Sequence, residues 1–333
     1  MAASRITVAD RAAPGGAAPH KDMVWIPGGT FTMGSNDHYA EEAPAHQVAV
    51  AGFWLDSCPV TNLQFGRFVK ATGYRTLAER VPIAADYPGA KPELLVAGSV
   101  VLVRPAQRVD LSNHNNWWHW VPGACWRHPE GSGSTLNGRE RHPVVHVAYE
   151  DAAAYAAWAG KALPTEAEWE FAAHDGLDGA EYAWGDTLMP EGRVMANTWQ
   201  GEFPHENTLL DKYERTSPVG AFPPNGYGLY DMIGNVWELT DDWYQEHLQV
   251  VHGCCTQTNP RGGERERSYD PQQPDVRIPR KVMKGGSFLC APNYCRRYRP
   301  AARMAQPLDT STCHAGFRCV VRAHGLTNNV TSV

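Results

Sequence analysis

The 333-residue sequence has few charged residues and no long apolar run. Charged residues make up 20% of the chain and the formal net charge is −6, so no basic bias points to nucleic acid or an anionic membrane surface. No stretch approaches the roughly 18 consecutive apolar residues that cross a bilayer. Residues 1–21, rich in Ala, Gly and Pro, lack the apolar segment of a secretory signal. We therefore expect a soluble, cytoplasmic protein that binds neither nucleic acid nor membrane.

Several common catalytic and metal-binding motifs are absent from the sequence. It contains no Gly-x-Ser-x-Gly elbow, no P-loop and no dinucleotide-binding glycine motif. It also contains no Cys-x-x-Cys pair of the kind that completes a four-ligand zinc site. No internal repeat and no low-complexity linker divides the ordered part, which predicts one domain.

Glycine, proline and tryptophan are abundant instead. The 31 glycines and 25 prolines make up about 17% of the chain, against an average of roughly 12%. They are spread throughout, which predicts many turns and much irregular backbone. The 12 tryptophans supply core area where helices and sheets are scarce. These features predict an α+β fold in a single loop-rich domain with little regular secondary structure.

The clearest strand signals lie in the first third of the chain, and the sequence from Ala183 to the end predicts further short strands and turns with only weak helical periodicity. Residues 23–26 and 30–33, separated by the turn residues Pro27-Gly28-Gly29, predict a β-hairpin. Residues 46–55 form a further strand candidate, and the apolar run 94–103 fits either a strand or a short helix.

Three helices have recognisable ends. Thr61 with Gln64 and Thr165 with Glu168 are capping-box signatures, in which the side chains at the first and fourth positions satisfy free backbone N–H groups. Gly73 is the expected stop of the first of these helices. Residues 150–159 predict another helix, ended by Gly160. Residues 251–280 are polar and predict an exposed loop.

The chain has eight cysteines, of which Cys290 and Cys295 are the most informative. They lie five residues apart across a bend at Pro292, which brings their sulfurs together. Two thiolates suit a soft ion of low coordination number such as Cu(I), and the arginines that follow Cys295 favour thiolate over thiol. Spacing alone leaves a disulfide and two unrelated core thiols open as alternatives.

The sequence around this pair, and most of residues 23–322, resembles the formylglycine-generating enzyme family, also called sulfatase-modifying factors. The pair sits in the segment Gly285-Gly286-Ser287-Phe288-Leu289-Cys290 and Tyr294-Cys295-Arg296-Arg297-Tyr298-Arg299, a setting typical of the catalytic branch. The other matching segments are residues 25–34, 126–131, 142–147, 158–161, 163–170, 196–204, 226–231, 234–238 and 316–319. The resemblance implies the fold of this family, which is related to C-type lectins.

The resemblance also implies an activity and its site. Such an enzyme is a copper-dependent oxidase that uses O2 and a thiol reductant to convert a cysteine in a Cys-x-Pro-x-Arg segment of a client sulfatase to Cα-formylglycine. Cys290 and Cys295 would hold Cu(I) in a near-linear arrangement, and the client thiolate would add a third sulfur. Further catalytic positions are Ser287, Tyr294 and Trp237, and the implied substrate-binding positions are Trp117, Arg297 and His314. The expected partner is an unfolded or nascent sulfatase polypeptide, and this protein is expected to bind it as a monomer.

Structural calcium is implied as well, at two sets of residues. The first set is Asn197, Thr198, Asp211 and Tyr213. The second is Asp231, Gly234, Val236 and Glu238, which combines two carboxylates with turn carbonyls, the hard oxygen ligands that Ca²⁺ prefers. Their expected role is to fix loops rather than to take part in chemistry.

The sequence departs from the family at a few positions. Ala156, Ala173 and Pro300 stand where secreted members have disulfide cysteines, so Cys319 lacks a partner, as expected in a reducing compartment. Pro59 replaces an acidic residue near calcium, and Cys313-His314-Ala315 replaces a segment that borders the substrate groove. The expected organisation is a disordered arm at 1–22, a catalytic domain at 23–323 and a flexible tail at 324–333.

Two other functions fit the same scaffold. A non-catalytic binding module would need neither thiol. An iron-dependent sulfoxide synthase usually carries an N-terminal helical domain with three histidine ligands, whereas the arm here has only His20. The oxidase is therefore the favoured interpretation.

Overall fold

Short strands outnumber helices in the computed structural model, which describes residues 4–5, 7–8, 17–87, 89–247 and 256–322. The helices are α1 (Asn62–Thr72), α2 (Tyr149–Trp158) and α3 (Glu166–His174). The strands are β1 (Ser4–Arg5), β2 (Thr7–Val8), β3 (Met23–Ile26), β4 (Gly29–Met33), β5 (His46–Val50), β6 (Phe53–Asp56), β7 (Gly98–Leu102), β8 (Trp118–Pro122), β9 (Leu177–Asp178), β10 (Trp237–Trp243), β11 (Gln257–Thr258), β12 (Arg280–Lys284), β13 (Arg303–Pro307), β14 (Ala315–Gly316) and β15 (Val320–Arg322). This mixture confirms the predicted loop-rich α+β fold.

The central sheet positions the cysteine pair. Its strand order is β13-β12-β10-β14, with β12 antiparallel to both of its neighbours and β14 parallel to β10. The chain leaves β12 at Lys284, forms the loop that contains both cysteines and returns through β13. Because β12 and β13 pair directly over five residues, the two ends of that loop are held together.

The predicted hairpin of residues 23–33 is wrong, although both of its strands exist. β3 pairs with β6, and β4 pairs with β5, so the two strands belong to different sheets. Residues 46–55 likewise form two strands, β5 and β6, rather than one. The turn at Gly28 takes a left-handed φ of 72°, and a Cβ there would lie 2.6 Å from the carbonyl oxygen of Val50. The chain therefore crosses against the β5–β6 connection instead of folding back on itself.

The helix predictions are confirmed, including their ends. Thr61 and Thr165 are N-caps whose side chains accept hydrogen bonds from the backbone N–H groups of Gln64 and Glu168. Gly73 ends α1 with a left-handed φ of 70°. These ends were predictable because capping depends on residues within one helical turn.

The remaining local predictions have mixed outcomes. The run 94–103 contains the strand β7, paired with β8. In the loop predicted at 251–280, the described residues form β11, a 3₁₀ turn and, at Arg280, the start of β12. Within the arm predicted to be disordered, β1 pairs with β9 and β2 with β4, while residues 1–3, 6 and 9–16 lie outside the described residues. The predicted tail at 324–333 also lies outside the described residues. The predicted domain bounds therefore remain predictions.

Helix α3 runs through the interior, where every one of its residues is buried. Two of its three buried carboxylates pair with the central sheet: Arg303 binds Glu166 through two hydrogen bonds of 2.7 and 2.8 Å, and Lys284 binds Glu170 at 2.7 Å. These pairs join α3 to β12 and β13, the strands that carry the cysteine loop. Across the described part of the chain, no helix has the length and apolarity needed to span a membrane.

Candidate thiol site

Both cysteines lie on one short loop, residues 285–297, which we call the thiol loop. It begins with Gly285 and Gly286, whose φ angles are 91° and 71°. A Cβ on Gly286 would lie 2.7 Å from the carbonyl oxygen of Arg297, closer than real Cβ atoms approach. Glycine at this position therefore lets the start of the loop pack against its end.

A tight turn in the middle of the loop brings the two sulfurs together. The N–H groups of Tyr294 and Cys295 both donate to the carbonyl of Ala291, at 3.1 and 2.9 Å. The Sγ atoms of Cys290 and Cys295 are 3.4 Å apart, a hydrogen-bond contact far longer than the roughly 2.05 Å of a disulfide. In this structure the two cysteines are reduced and their sulfurs are in contact. The chain bends at Pro292 between them, as predicted.

The two sulfurs differ in protonation. The pKa of Cys295 is lowered to about 6, first by the hydrogen bond from Cys290 and then by the positive charge of Arg297. The pKa of Cys290 is raised well above its ordinary value, because the side chain is buried and faces the second sulfur. At neutral pH the pair is therefore a Cys290 thiol that donates to a Cys295 thiolate.

Arg297 is held in place beside the thiolate by a distant segment. Its Nη1 lies 3.8 Å from Cys295 Sγ, and its Nε donates to the Glu41 carboxylate at 2.9 Å. Its guanidinium also packs 3.8 Å from the ring centre of Tyr39. Arg297 was predicted to bind substrate, whereas its contacts here are with Cys295 and Glu41. Nothing in the sequence near the cysteines pointed to Glu41 or Tyr39.

Replacing Arg297 with methionine is expected to raise the pKa of Cys295 by about one unit, because the nearest positive charge is lost. The measurement is the pH dependence of iodoacetamide alkylation at Cys295 in the metal-free protein, resolved by mass spectrometry. Arg296→Met is the matched control, since Arg296 is half exposed and pairs with Glu181. An equal shift in both variants would contradict a specific role for Arg297.

An aromatic cluster covers one side of the thiol loop. The Tyr294 ring stacks on Phe203 with centroids 4.2 Å apart, and Trp117 meets both rings edge-on at 5.4 and 5.5 Å. Burial and the nearby Cys295 raise the pKa of Tyr294 to about 12, so its hydroxyl stays protonated. Trp117, predicted to line the peptide cleft, is 0% exposed in this structure. Phe203 was not predicted as a site residue, although it lies in the matching segment 196–204.

The other predicted site residues are also buried. Ser287 donates its backbone N–H to Cys290 Sγ at 3.4 Å, and its hydroxyl accepts from the N–H of Leu289 at 3.2 Å. Trp237 belongs to the same buried cluster as Cys290. His314 packs on Trp118 and its Nδ1 lies 2.7 Å from the Thr312 hydroxyl, and burial lowers its pKa to about 3. A client that contacts these residues therefore has to displace the groups that cover them.

The sulfur pair fits a two-coordinate soft metal in composition. Among the described residues no group of three or more His, Cys, Asp or Glu side chains converges as a metal site, so only the two sulfurs are available as donors. Cys290 and Cys295, whose sulfurs are 3.4 Å apart, are the residues that would hold such an ion. Cys290 is buried, whereas Cys295 is partly exposed.

The first predicted calcium set contains two buried oxygens without a hydrogen bond. Asn197 Oδ1 and Asp211 Oδ2 have no partner within the described residues. Burial raises the pKa of Asp211, although its other oxygen accepts from the N–H of Tyr213 at 3.0 Å. Unpaired buried oxygens are costly, and a calcium ion would satisfy both.

The second set differs, because its main carboxylate is already paired. Both oxygens of Glu238 accept from Arg318 at 2.7 Å, and one also accepts from Trp169 Nε1 at 2.8 Å. Asp231 accepts from the N–H of Gly220 at 2.8 Å, and burial raises its pKa to about 6. The geometry therefore favours calcium at the first set over the second.

Comparison with known proteins gives concordant matches. A family model described as "Sulfatase-modifying factor enzyme 1-like domain" matches residues 9–323. The formylglycine-generating enzyme of Mycobacterium tuberculosis is 51% identical over 302 residues, covering 90% of this chain and 97% of the relative. That of Thermomonospora curvata is 47% identical over 304 residues, covering 90% and 93%. The solved structure of PvdO from Pseudomonas aeruginosa aligns with a TM-score of 0.56 at 24% identity, covering 97% of this chain and 100% of PvdO, which supports the fold alone.

Proposed function

The chain belongs to the sulfatase-modifying factor enzyme 1-like family, and on this premise we propose that it converts a cysteine of a client sulfatase to Cα-formylglycine. The observation that carries the proposal is the reduced Cys290/Cys295 pair, with sulfurs 3.4 Å apart and one of them a thiolate. Such a pair, on a turn of a loop whose two ends are held together, suits redox chemistry on the thiol of a client.

The cofactor we propose is Cu(I), held by Cys290 and Cys295. Bound copper would supply the one-electron chemistry that lets O2 oxidise the client cysteine. The overall reaction balances when the client cysteine side chain, one O2 and two hydrogen atoms from a thiol reductant give one aldehyde, one hydrogen sulfide and one water. The donor types support Cu(I), because thiolates are soft ligands and no harder side chain joins them within the described residues.

The residues around the sulfurs have separate tasks in this proposal. The hydrogen bond from Cys290 and the positive charge of Arg297 keep Cys295 deprotonated, so that the pair is ready to bind metal. The backbone N–H of Ser287 faces Cys290 Sγ and stabilises negative charge there when that thiol is deprotonated. The Tyr294 hydroxyl stays protonated at neutral pH and is available to donate to a client or oxygen atom beside the loop. The client segment we propose is Cys-x-Pro-x-Arg in an unfolded or nascent sulfatase, bound by a monomer.

A reducing, cytoplasmic location agrees with this chemistry. All six cysteines in the described part of the chain are free, including the buried Cys125, Cys313 and Cys319. Reduced thiols are the state that Cu(I) binding needs.

The test of the function is direct conversion of a peptide. We expect the copper-loaded protein to form an aldehyde when it is given a Cys-x-Pro-x-Arg peptide, O2 and a thiol reductant. The peptide should lose the mass that corresponds to replacing the cysteine thiol by an aldehyde oxygen. Mass spectrometry with aldehyde-specific labelling measures the product. Absence of product at confirmed copper occupancy would refute the proposal and favour the non-catalytic binding module.

We also propose that Ca²⁺ occupies the first calcium set. Removing calcium with a chelator is expected to lower the melting temperature by about 4 °C, since a ligand at 100-fold excess over Kd stabilises by about 2.7 kcal/mol. Asp211→Asn should abolish that response, whereas the exposed Asp275→Asn should leave it unchanged. Equal responses in wild type and Asp211→Asn would place the calcium elsewhere.

A further inference from the structure

A segment far from the cysteines in the sequence holds the second half of the thiol loop. We call residues 39–42, which include a short 3₁₀ turn, the strap. The Tyr39 hydroxyl accepts a hydrogen bond from the backbone N–H of Arg296 at 3.0 Å. Because Arg296 directly follows Cys295, this bond fixes the peptide unit beside the second sulfur.

Two ion pairs extend the contact between the strap and the loop. Arg297 donates from both Nε and Nη2 to one carboxylate oxygen of Glu41, the first of these at 2.9 Å. Arg299 donates to both oxygens of Glu42, one of them at 2.7 Å, and both of these side chains are buried. Three successive contacts therefore join the strap to residues 296–299.

The strap is itself anchored to the rest of the fold. The carbonyl oxygen of Glu42 accepts from the N–H of Ser35 at 3.1 Å and lies 3.2 Å from His247 Nδ1. Arg303, on the strand β13 that follows the thiol loop, donates to the Glu41 carbonyl at 3.3 Å. The strap therefore forms a fixed support for the loop.

The two cysteines are held by different parts of the molecule. Cys290 is buried, and its carbonyl accepts from the N–H of Trp199 at 3.0 Å. Cys295 is partly exposed, and the residues that follow it are bound to the strap. The 3.4 Å contact between the sulfurs therefore depends on the strap as well as on the turn at Pro292.

We propose that Tyr39 and Glu41 are positioning residues that hold Cys295 opposite Cys290, so that both sulfurs can bind one metal ion. Both residues act through the arginines that follow Cys295 rather than by contact with the sulfurs. The inference rests on the proposed function for its role in Cu(I) binding, whereas the sulfur geometry can be tested without copper.

The metal-free protein tests the role of Tyr39. Oxidised glutathione converts the two thiols to a disulfide and releases two molecules of reduced glutathione, and this equilibrium measures how well the sulfurs are held together. Tyr39→Phe removes the acceptor for the Arg296 N–H without changing any charge, and we expect it to disfavour the disulfide about three-fold. Tyr74→Phe, which removes a 3.1 Å hydrogen bond to Asp151, should keep the wild-type equilibrium. An unchanged equilibrium in Tyr39→Phe overturns the inference.

Variants of Glu41 separate position from charge. Glu41→Ala removes the acceptor for Arg297, and we expect about ten-fold weaker Cu(I) binding in competition with a chromophoric chelator. Glu41→Gln keeps an oxygen acceptor and should stay within about two-fold of the wild-type affinity. Loss of the negative charge alone would instead strengthen the binding of a cation in both variants. Unchanged or tighter binding in Glu41→Ala therefore contradicts a positioning role.

Glu130→Ala is the matched control for Glu41→Ala. Glu130 forms a similarly exposed ion pair with Arg139 at 2.6 Å, and its removal should leave the Cu(I) affinity unchanged.

Failure of the proposed function gives a different pattern of results. If the wild-type protein neither binds Cu(I) nor forms aldehyde, while Tyr39→Phe still shifts the glutathione equilibrium, the oxidase function is refuted and the positioning role stands. If the wild-type protein converts the peptide but Tyr39→Phe leaves that equilibrium unchanged, only the positioning role is refuted.

Discussion

Cys295→Ser is expected to abolish stoichiometric Cu(I) binding, which in the wild-type protein should reach one equivalent. Only two sulfurs face each other, and the described residues offer no third side-chain donor to compensate for losing one. The loss of affinity should exceed about 100-fold, the upper range seen when only an outer-shell contact of a metal ligand is removed. Competition with a chromophoric Cu(I) chelator measures it, and aldehyde formation should disappear in the same variant.

Cys290→Ser should give the same result for a different reason. Cys290 is the buried thiol that donates to Cys295, so serine keeps a hydrogen-bond donor but removes the second soft ligand. Cys58→Ser is the control, because Cys58 is half-buried on a different segment and contacts Ser57. Cu(I) affinity that survives both Cys290→Ser and Cys295→Ser would contradict the two-thiolate site and leave a non-catalytic binding module as the better interpretation.

The parts of the fold that sequence could predict depend on neighbouring residues. Thr61 and Thr165 mark helix starts because a capping box lies within four residues. The hairpin prediction at residues 23–33 failed, because strand pairing depends on distant segments that local pattern does not record. Each of these strands finds its partner in β5 or β6 instead.

The site shows the same division between near and distant residues. The spacing of Cys290 and Cys295 around Pro292 predicted a bend that could bring their sulfurs together, and the resemblance of the flanking residues favoured a paired site over two unrelated core thiols. It did not reveal Glu41, which is more than 250 positions away yet holds Arg297 against the thiolate. Nor did it reveal that Phe203 stacks on Tyr294 and helps to bury Trp117. Those contacts depend on tertiary packing between segments that have no local signal in common.

Arg318→Met is expected to reduce the free energy of unfolding by about 3–5 kcal/mol, which is the cost of leaving one member of a buried ion pair without its partner. Arg318 is 0% exposed and Glu238 is 1% exposed, and their two hydrogen bonds are both 2.7 Å. Arg318 also donates to the carbonyl of Tyr230 at 2.8 Å, so its loss leaves several acceptors unsatisfied. Urea unfolding measures the change. Arg267→Met is the control, because the Arg267–Glu264 pair is largely exposed and contributes less than about 1 kcal/mol.

The double variant Glu238→Gln/Arg318→Met separates lost charge pairing from lost packing. Because glutamine carries no charge, the double variant should recover part of the stability that Arg318→Met loses. If the double variant recovers none of this stability, lost packing and not the unpaired carboxylate accounts for the destabilisation in Arg318→Met. The same two variants test the second calcium set. If Glu238 can bind calcium once Arg318 is gone, added Ca²⁺ should stabilise Arg318→Met by more than the double variant, which keeps only the response of the first set. A calcium response of equal size in both variants would instead assign the binding to the first set, where Asn197 and Asp211 hold the unpaired oxygens.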